Sequence, residues 1–322
     1  MTGYLVRRLL LIIPTLLLVS IIVFLTVRFI PGSVIDLMVA EINNGGGQIM
    51  DPAEAEAYIR HELGLDVPVH VQYWRWLTKV VRGDLGDSLW SGRSITEEML
   101  AKLPVSFELG VWAILTGLVI ALPIGVYSAI RQDTWGDYAG RTFAILSISL
   151  PGFWIATMVI VYPSIWWNWS PAMEYLPFTR DPIGNIIQFG IPGIIMGMTF
   201  SGGTMRMTRT MMLEVLRQDY IRTAWSKGLS ERVIIMRHAL KNAMIPVVTI
   251  IGMSLPMLVA GAVVIEQIFS LPGIGRYLVD AINRRDYPII SGINLVVATA
   301  VLICNLGVDL AYGWLDPRVS YR

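Results

Sequence analysis

A polar, basic segment between two long apolar runs holds the side chains best suited to contact another protein. Residues 217–231 read RQDYIRTAWSKGLSE. Arg222 and Lys227 can pair with acidic groups, and Tyr220 and Trp225 can supply apolar contact. These residue types favour docking rather than catalysis, because no nucleophile lies beside a base. The expected partner is a cytoplasmic protein that pushes on the segment.

The segment is predicted to fold as two helices joined by a tight turn. Good helix formers run from Leu213 to Lys227. Gly228 is expected to end this helix in the left-handed conformation, and Ser230 is expected to cap a second helix that begins at Glu231. A stiff turn of this kind suits the transmission of a push from one helix to the next.

Small side chains give the first of these helices a surface that another protein can approach closely. Thr223, Ala224 and Gly228 are expected along one face. Ile221 adds an apolar anchor beside the two aromatic residues. The alternative is a solvated amphipathic connector that has no partner.

The composition indicates an integral membrane protein. Of 322 residues, 54% are hydrophobic and 15% are charged, and the mean hydropathy is +0.59. Soluble domains have roughly 25% charged residues. The net charge of +1 gives no indication of nucleic-acid binding. The single cysteine, Cys304, lies in an apolar run and excludes an internal disulfide.

Six uncharged runs approach or exceed the roughly 20 residues that a membrane helix needs. They are Leu9–Val27, Leu109–Ile130, Thr142–Met173, Ile183–Met205, Asn242–Ile265 and Tyr287–Val308. The third run is too long for one span, and it is expected to end near the aromatic cluster Trp166–Trp169. The first run is too long for a signal peptide and is expected to remain as an anchor. The predicted fold is therefore an all-α membrane protein with six transmembrane helices.

Basic residues in the loops predict that both termini are cytoplasmic. Arginine and lysine are concentrated before the first span, between spans two and three, between spans four and five, and in the C-terminal tail. The long polar loop, residues 206–245, is then cytoplasmic. Arg276, Arg284 and Arg285 fall on the outside, against the rule, and the basic loop outweighs them.

The segment after the first span, residues 31–104, is predicted to form a helical cap outside the membrane. It separates the first helix, in residues 1–30, from the permease-like body in residues 105–322. The cap is expected to cover the outer ends of the spans or to dock a protein that delivers a ligand. Three short helices are predicted: one from Asp51 to Leu63 ended by Gly64, one with an apolar face of Val69, Tyr73, Trp76, Leu77 and Val80, and one started by a capping box of Ser94 and Glu97.

Several enzymatic and transport chemistries lack their residues. The sequence contains no phosphate-binding G-x-x-x-x-G-K-[ST] loop, no H-E-x-x-H zinc motif and no histidine in any apolar run to serve as a base. Intramembrane charges are expected only at span ends, where their side chains reach the interface. These are Arg28, Glu108, Glu266 and Asp309. A proton-coupled carrier, which would place acids near the midplane, is therefore the weaker alternative.

The polar loop resembles a family signature. Arg222-Thr223-Ala224-x-x-x-Gly228 is similar to the E-A-A-x-x-x-G loop in the inner-membrane permeases of binding-protein-dependent ABC importers. Arg222 stands in place of the acid and Thr223 in place of the first alanine. Longer strings resemble the dipeptide and oligopeptide subgroup. They are Asp219–Ser230, Arg237–Ala243, Phe269–Gly275, Asp286–Pro288, Leu315–Arg318, His61–Asp66 and Arg82–Gly86.

This resemblance implies the B-type permease subunit of an importer in a bacterial or archaeal inner membrane. The implied partners are a second homologous permease, two cytoplasmic ATPase subunits and an external substrate-binding protein. ATP and Mg²⁺ would bind the ATPases, so this chain would hold no cofactor or metal and catalyse nothing. Peptides are the implied substrates, with nickel complexes, glutathione and oligosaccharides as alternatives. No substrate-binding residue is predicted. The residues implied to contact the ATPase are Asp219, Tyr220, Ile221, Arg222, Thr223, Ala224, Trp225, Lys227 and Gly228.

Overall fold

The structure of the protein, a computed structural model, is helical throughout the part of the chain that it describes. Apart from helices and turns, this part contains only an isolated antiparallel bridge between Asp87 and Ser94. The described residues are 2–26, 28, 35, 38–39, 56–57, 60–61, 66–172, 174–257 and 262–315, with backbone alone for 2–9 and 309–315.

The helices follow one another with short connections. They are α1 Thr2–Thr26, α2 Val69–Val81, α3 Ile95–Ile130, α4 Trp135–Ser149, α5 Gly152–Trp167, α6 Pro182–Leu216, α7 Asp219–Ser226, α8 Glu231–Ser254, α9 Val263–Ile268, α10 Ile274–Arg284 and α11 Tyr287–Leu315. The contacts divide the chain into two compact units. The first contains the described residues of Met1–Lys102 and Tyr277–Leu302, and the second those of Leu103–Arg276 and Ile303–Asp316.

Four helices among the described residues are long and apolar enough to cross a membrane: α3, α6, α8 and α11. The bent pair of α4 and α5 makes a fifth span if its two helices are counted as one. The apolar part of α1, Leu10–Thr26, is a shorter helix. The protein is therefore an all-helical membrane protein, with four to five candidate spans against the six predicted runs.

The third apolar run is a broken helix, which the sequence did not predict. The helix begins at Trp135 rather than Thr142, and the chain bends by 90° between α4 and α5. Pro151 causes the break, because it has no N–H to donate and forces Leu150 into an extended conformation. The end of the run is where it was expected, since α5 stops at Trp167 and Asn168 takes a left-handed conformation.

The fifth run is also interrupted, and the prediction of one helix over Asn242–Ile265 is wrong. Helix α8 begins earlier, at Glu231, passes through a π-helical segment at Ile234–Ala239 and ends at Ser254. The chain then turns at Leu255 and Pro256, whose ring nitrogen cannot continue the hydrogen-bond ladder. The next helix, α9, begins at Val263.

Around the predicted cap, the structure changes one expectation and supports another. Ser94 does not start a separate short helix, because α3 runs without interruption from Ile95 through Pro104 to Ile130. The expected apolar face of α2 packs on α1: the Phe24 ring lies 5.2 Å from that of Tyr73 and 5.6 Å from that of Trp76. The predicted helix from Asp51 to Leu63 and the turn at Gly64 lie largely outside the described residues.

Close helix packing builds the core of the second unit. On α6, Gly193 and Gly197 face α3 so closely that a Cβ on Gly193 would lie 2.6 Å from the Trp112 Cβ. Thr116 on α3 donates a hydrogen bond to the Gly193 carbonyl at 2.9 Å. Small residues at a four-residue spacing allow helices in a membrane to approach in this way. Phe189, fully buried, fills the centre of the adjoining apolar core.

Candidate functional site

The polar segment forms a short helix of its own, α7, between two long helices. Helix α6 ends at Leu216, and Gln218 is extended with φ −72° and ψ 149° before α7 begins at Asp219. The single helix predicted from Leu213 to Lys227 is therefore wrong. The turn at residues 217–218 leaves α7 as a separate rigid piece of eight residues.

The turn after α7 has the predicted geometry. Gly228 is left-handed with φ +73°. Its N–H donates to the Trp225 carbonyl at 3.0 Å, and the Leu229 N–H donates to the Ala224 carbonyl at 3.4 Å. These two bonds make a Schellman motif, which satisfies carbonyls at the helix end. Ser230 occupies the N-cap position of α8, as expected, without a side-chain capping bond.

One face of α7 is buried against the chain itself. Ile221 is fully buried and Ala224 is 6% exposed. They pack in an apolar cluster with Met212 of α6, Ala129 of α3, and Ile234, Ala239 and Ala243 of α8. The sequence had offered Ile221 as an anchor for a partner and Ala224 as part of a close-approach surface. Their burial instead fixes α7 to three long helices.

The other face of α7 is exposed. The side chains of Tyr220 and Trp225 are 43% and 49% exposed, which is high for aromatic residues on a polar helix. The Tyr220 hydroxyl accepts a hydrogen bond from the Asn242 amide at 2.9 Å, which fixes its position. The whole exposed surface, which we call the α7 outer face, consists of Asp219, Tyr220, Arg222, Thr223, Trp225, Lys227 and Gly228.

The polar groups of the α7 outer face are only loosely engaged. Arg222 and Asp219 form an ion pair at 3.5 Å, with both side chains more than three-quarters exposed. Such pairs contribute little to stability because water screens them. The Thr223 hydroxyl donates to the Asp219 carbonyl within the helix. The cations are therefore free to exchange their local contacts for those of a partner.

A buried ion pair near α7 was missed by the sequence reading. Asp137 on α4 is fully buried, and both of its oxygens accept hydrogen bonds at 2.8 Å from the guanidinium of Arg209 on α6. The two residues are 72 positions apart, so no local pattern joins them. The only sequence signal was the four-residue spacing of Asp137 and Arg141, whose side chains approach to 3.7 Å.

Glu266 also differs from its predicted environment. The sequence reading placed it at a span end, with its carboxylate at the interface. It is instead fully buried. Its carboxylate accepts hydrogen bonds from the Ser106 hydroxyl at 2.8 Å and from the backbone N–H groups of Arg276 at 3.0 Å and Ala262 at 3.2 Å. This arrangement ties the segment between α9 and α10 to α3.

Comparison with known proteins identifies the family. The family described as "Binding-protein-dependent transport system inner membrane component" matches residues 121–321, and the corresponding N-terminal family matches residues 1–109. The chain belongs to this family. The prediction from the Arg222–Gly228 motif is thereby confirmed, and the protein is a membrane permease of a transport system rather than a catalytic enzyme.

Individual relatives match from end to end. The chain is 38% identical over 345 aligned positions to the "Dipeptide transport system permease protein DppB" of Escherichia coli strain K12. It is 38% identical over 347 positions to the protein of the same name from Alkalihalophilus pseudofirmus. In both cases the alignment covers all of this chain and all of the relative.

Proposed function

We propose that this chain is one of two permease subunits of an ATP-driven importer of dipeptides and oligopeptides. The family match and the two full-length relatives named as dipeptide permeases support this substrate class. Importers of nickel complexes, glutathione or oligosaccharides are the alternatives, since the resemblance extends to permeases of those substrates. The substrate path would lie between this chain and its partner permease, lined by spans two to five.

Helix α7 is the proposed coupling helix, which receives the motion of a cytoplasmic ATPase. The observation that supports this role is the two-sided character of α7. The outer face offers the exposed Trp225, Arg222 and Lys227 to a partner, while Ile221 and Ala224 are packed among α3, α6 and α8. A displacement of the outer face would therefore move the inner ends of three long helices.

The proposed topology has six spans with both termini in the cytoplasm. The spans are α1, α3, the broken pair α4 and α5, α6, α8 and α11. The excess of arginine and lysine around α7 supports a cytoplasmic position for that helix. The segment between α1 and α3, which contains α2, would then lie outside, where an external substrate-binding protein docks. The membrane would be the inner membrane of a bacterium.

The proposed energy source is ATP with Mg²⁺ on two separate ATPase subunits. ATP binding would close the ATPase pair and draw together the coupling helices of the two permeases. The motion of α7 would pass to α6 and α8 and open the path outward. Reversing a two-state equilibrium from 1:99 to 99:1 takes about 5.5 kcal/mol of differential binding. The joint that passes on this energy must be stiff, and the turn at Gly228 is suited to it.

Gly228→Asp in the assembled transporter tests this role. A Cβ there would meet nothing within 4 Å, so the main effect is the cost of a left-handed backbone, about 1–2 kcal/mol. We expect the complex to assemble and hydrolyse ATP but to import little labelled dipeptide. The measurement is uptake per ATP hydrolysed in proteoliposomes that contain all subunits.

Gly83→Asp is a matched control. Gly83 is also left-handed, with φ +83°, and also has open space around its Cβ position, but it lies after α2. It should impose a similar backbone cost and leave coupling intact. Normal uptake by Gly228→Asp would refute the coupling role. An equal loss in both variants would refute it too, because it would assign the effect to general strain.

A further inference from the structure

We propose that the Asp137–Arg209 ion pair is a positioning element that makes α4 move together with α6 when α7 is displaced. This inference rests on the proposed coupling role of α7. It adds two residues of the transmembrane body to the coupling pathway. The argument depends on the geometry of the pair, on its distance from α7 and on how α4 is otherwise attached.

The ion pair has a directional geometry. The Nε and Nη2 atoms of Arg209 each lie 2.8 Å from a different oxygen of Asp137. The backbone N–H of Asp133 adds a third hydrogen bond at 3.1 Å. Arg141 approaches the carboxylate at 3.7 Å from one turn further along α4. A planar, two-pronged contact of this kind fixes orientation as well as distance, unlike a single charge contact.

The pair lies within one helical turn of the coupling helix's own packing. Arg209 precedes Met212 on α6 by three residues, which is about 4.5 Å along the helix axis. Met212 is fully buried in the cluster that holds Ile221 of α7. A continuous series of packed groups therefore joins α7 to α6 through Met212, and α6 to α4 through Arg209 and Asp137.

The remaining contact between α4 and α6 is apolar and lacks this directionality. A Cβ on Gly202 of α6 would lie 2.7 Å from the Ala144 carbonyl of α4, so the two backbones are very close there. Ala144 also packs with the buried Met205. Apolar packing of this kind resists separation, but it is non-directional and permits sliding. The ion pair is thus the contact that fixes the register of the two helices.

The break at Pro151 makes this attachment necessary. The 90° bend separates α4 from α5, so α4 is not moved as an extension of α5. Its preceding connection to α3 is the short turn at residues 131–134. A helix with such ends follows α6 only through side-chain contacts, and the Asp137–Arg209 pair is the strongest of these by geometry.

The test compares variants of the complete transporter in proteoliposomes. The double variant Asp137→Asn, Arg209→Gln removes both charges, so neither is left buried without a partner, and it avoids the main cause of misfolding. We expect this variant to assemble and to hydrolyse ATP, while dipeptides imported per ATP fall by about tenfold. Arg209→Lys keeps the charge without the fork and should give an intermediate ratio.

Arg206→Gln is the matched control, because it removes an exposed arginine one turn earlier on the same helix. It should import at the wild-type ratio. A wild-type ratio in the double variant would overturn the proposal, and so would a lower yield of complexes that each import normally. A wild-type complex without ATP-dependent dipeptide import would instead refute the proposed function. The two failures are therefore distinguishable.

Discussion

Two fully buried carboxylates in the second unit are stabilised in different ways. Asp137 pairs with a cation, the guanidinium of Arg209. Glu266 accepts hydrogen bonds from neutral groups only, and no lysine or arginine side chain within the described ranges forms an ion pair with it. Both solve the same problem, since an unpartnered charge inside a membrane protein is costly.

The Glu266 site uses the start of a helix in place of a cation. Its carboxylate accepts from the N–H of Arg276, in the first turn of α10. The Ser106 hydroxyl donates to the carboxylate and accepts from the Ile274 N–H at 2.8 Å. The first N–H groups of a helix have no partner within the helix, and its dipole favours a negative charge there. Glu266 therefore satisfies a helix end, whereas Asp137 fixes one helix to another.

The comparison teaches that the two sites depend on different neighbours. The Asp137 site needs one particular side chain, Arg209, because only a guanidinium provides a charged two-pronged donor. The Glu266 site needs space. A Cβ on Gly273 would collide with the carboxylate and lie 2.6 Å from the Ser106 hydroxyl oxygen. Substitutions should therefore disturb the first site through charge and the second through volume and unmet hydrogen bonds.

The largest effect on stability is expected from Arg209→Met. This change leaves the Asp137 carboxylate buried without its cation, which should lower the free energy of unfolding by about 3–5 kcal/mol. Thermal unfolding of the purified protein in detergent measures the loss. Arg206→Met, on the exposed side of the same helix, should melt like the wild type. Equal melting of both variants would mean that Asp137 is not paired by Arg209.

A smaller loss is expected from Gly273→Ala. The new methyl group must displace the Glu266 carboxylate or Ser106, and overpacking of this kind costs about 1–3 kcal/mol. Gly203→Ala is the matched control, since Gly203 lies inside α6 with no atom near its Cβ position. The control should be neutral or stabilising, because alanine favours helix more than glycine does. An unchanged melting temperature for Gly273→Ala would contradict the close approach.

The smallest of these losses is expected from Ser106→Ala. It removes the hydroxyl between Glu266 and the Ile274 N–H and should cost about 1–2 kcal/mol, within the range for an unmet buried donor. Ser147→Ala is the control, because the buried Ser147 hydroxyl has no hydrogen-bond partner among the described residues. The control should leave the melting temperature unchanged or raise it. The comparison fails if both serines behave alike.

Much of the coupling helix was predictable from local chemistry. The left-handed turn at Gly228 and the cap position of Ser230 follow from residue type, since few other residues tolerate a positive φ. The break before α7 was not predicted, because Arg217 and Gln218 are ordinary helix formers. The burial of Ile221 and Ala224 was also missed, since it depends on Met212 and the start of α8.

By itself, the sequence determined that this is a membrane protein and a member of a transport family, because long apolar runs and local motifs depend only on neighbouring residues. The tertiary structure decided which charges are buried. Asp137 and Arg209 meet only when α4 packs on α6, and Glu266 reaches Ser106 across 160 residues. The π-helical segment of α8 at Ile234–Ala239 likewise has no local signature. Such features require helices from distant parts of the chain to come together, because the energy of a buried polar group depends on its neighbours in space.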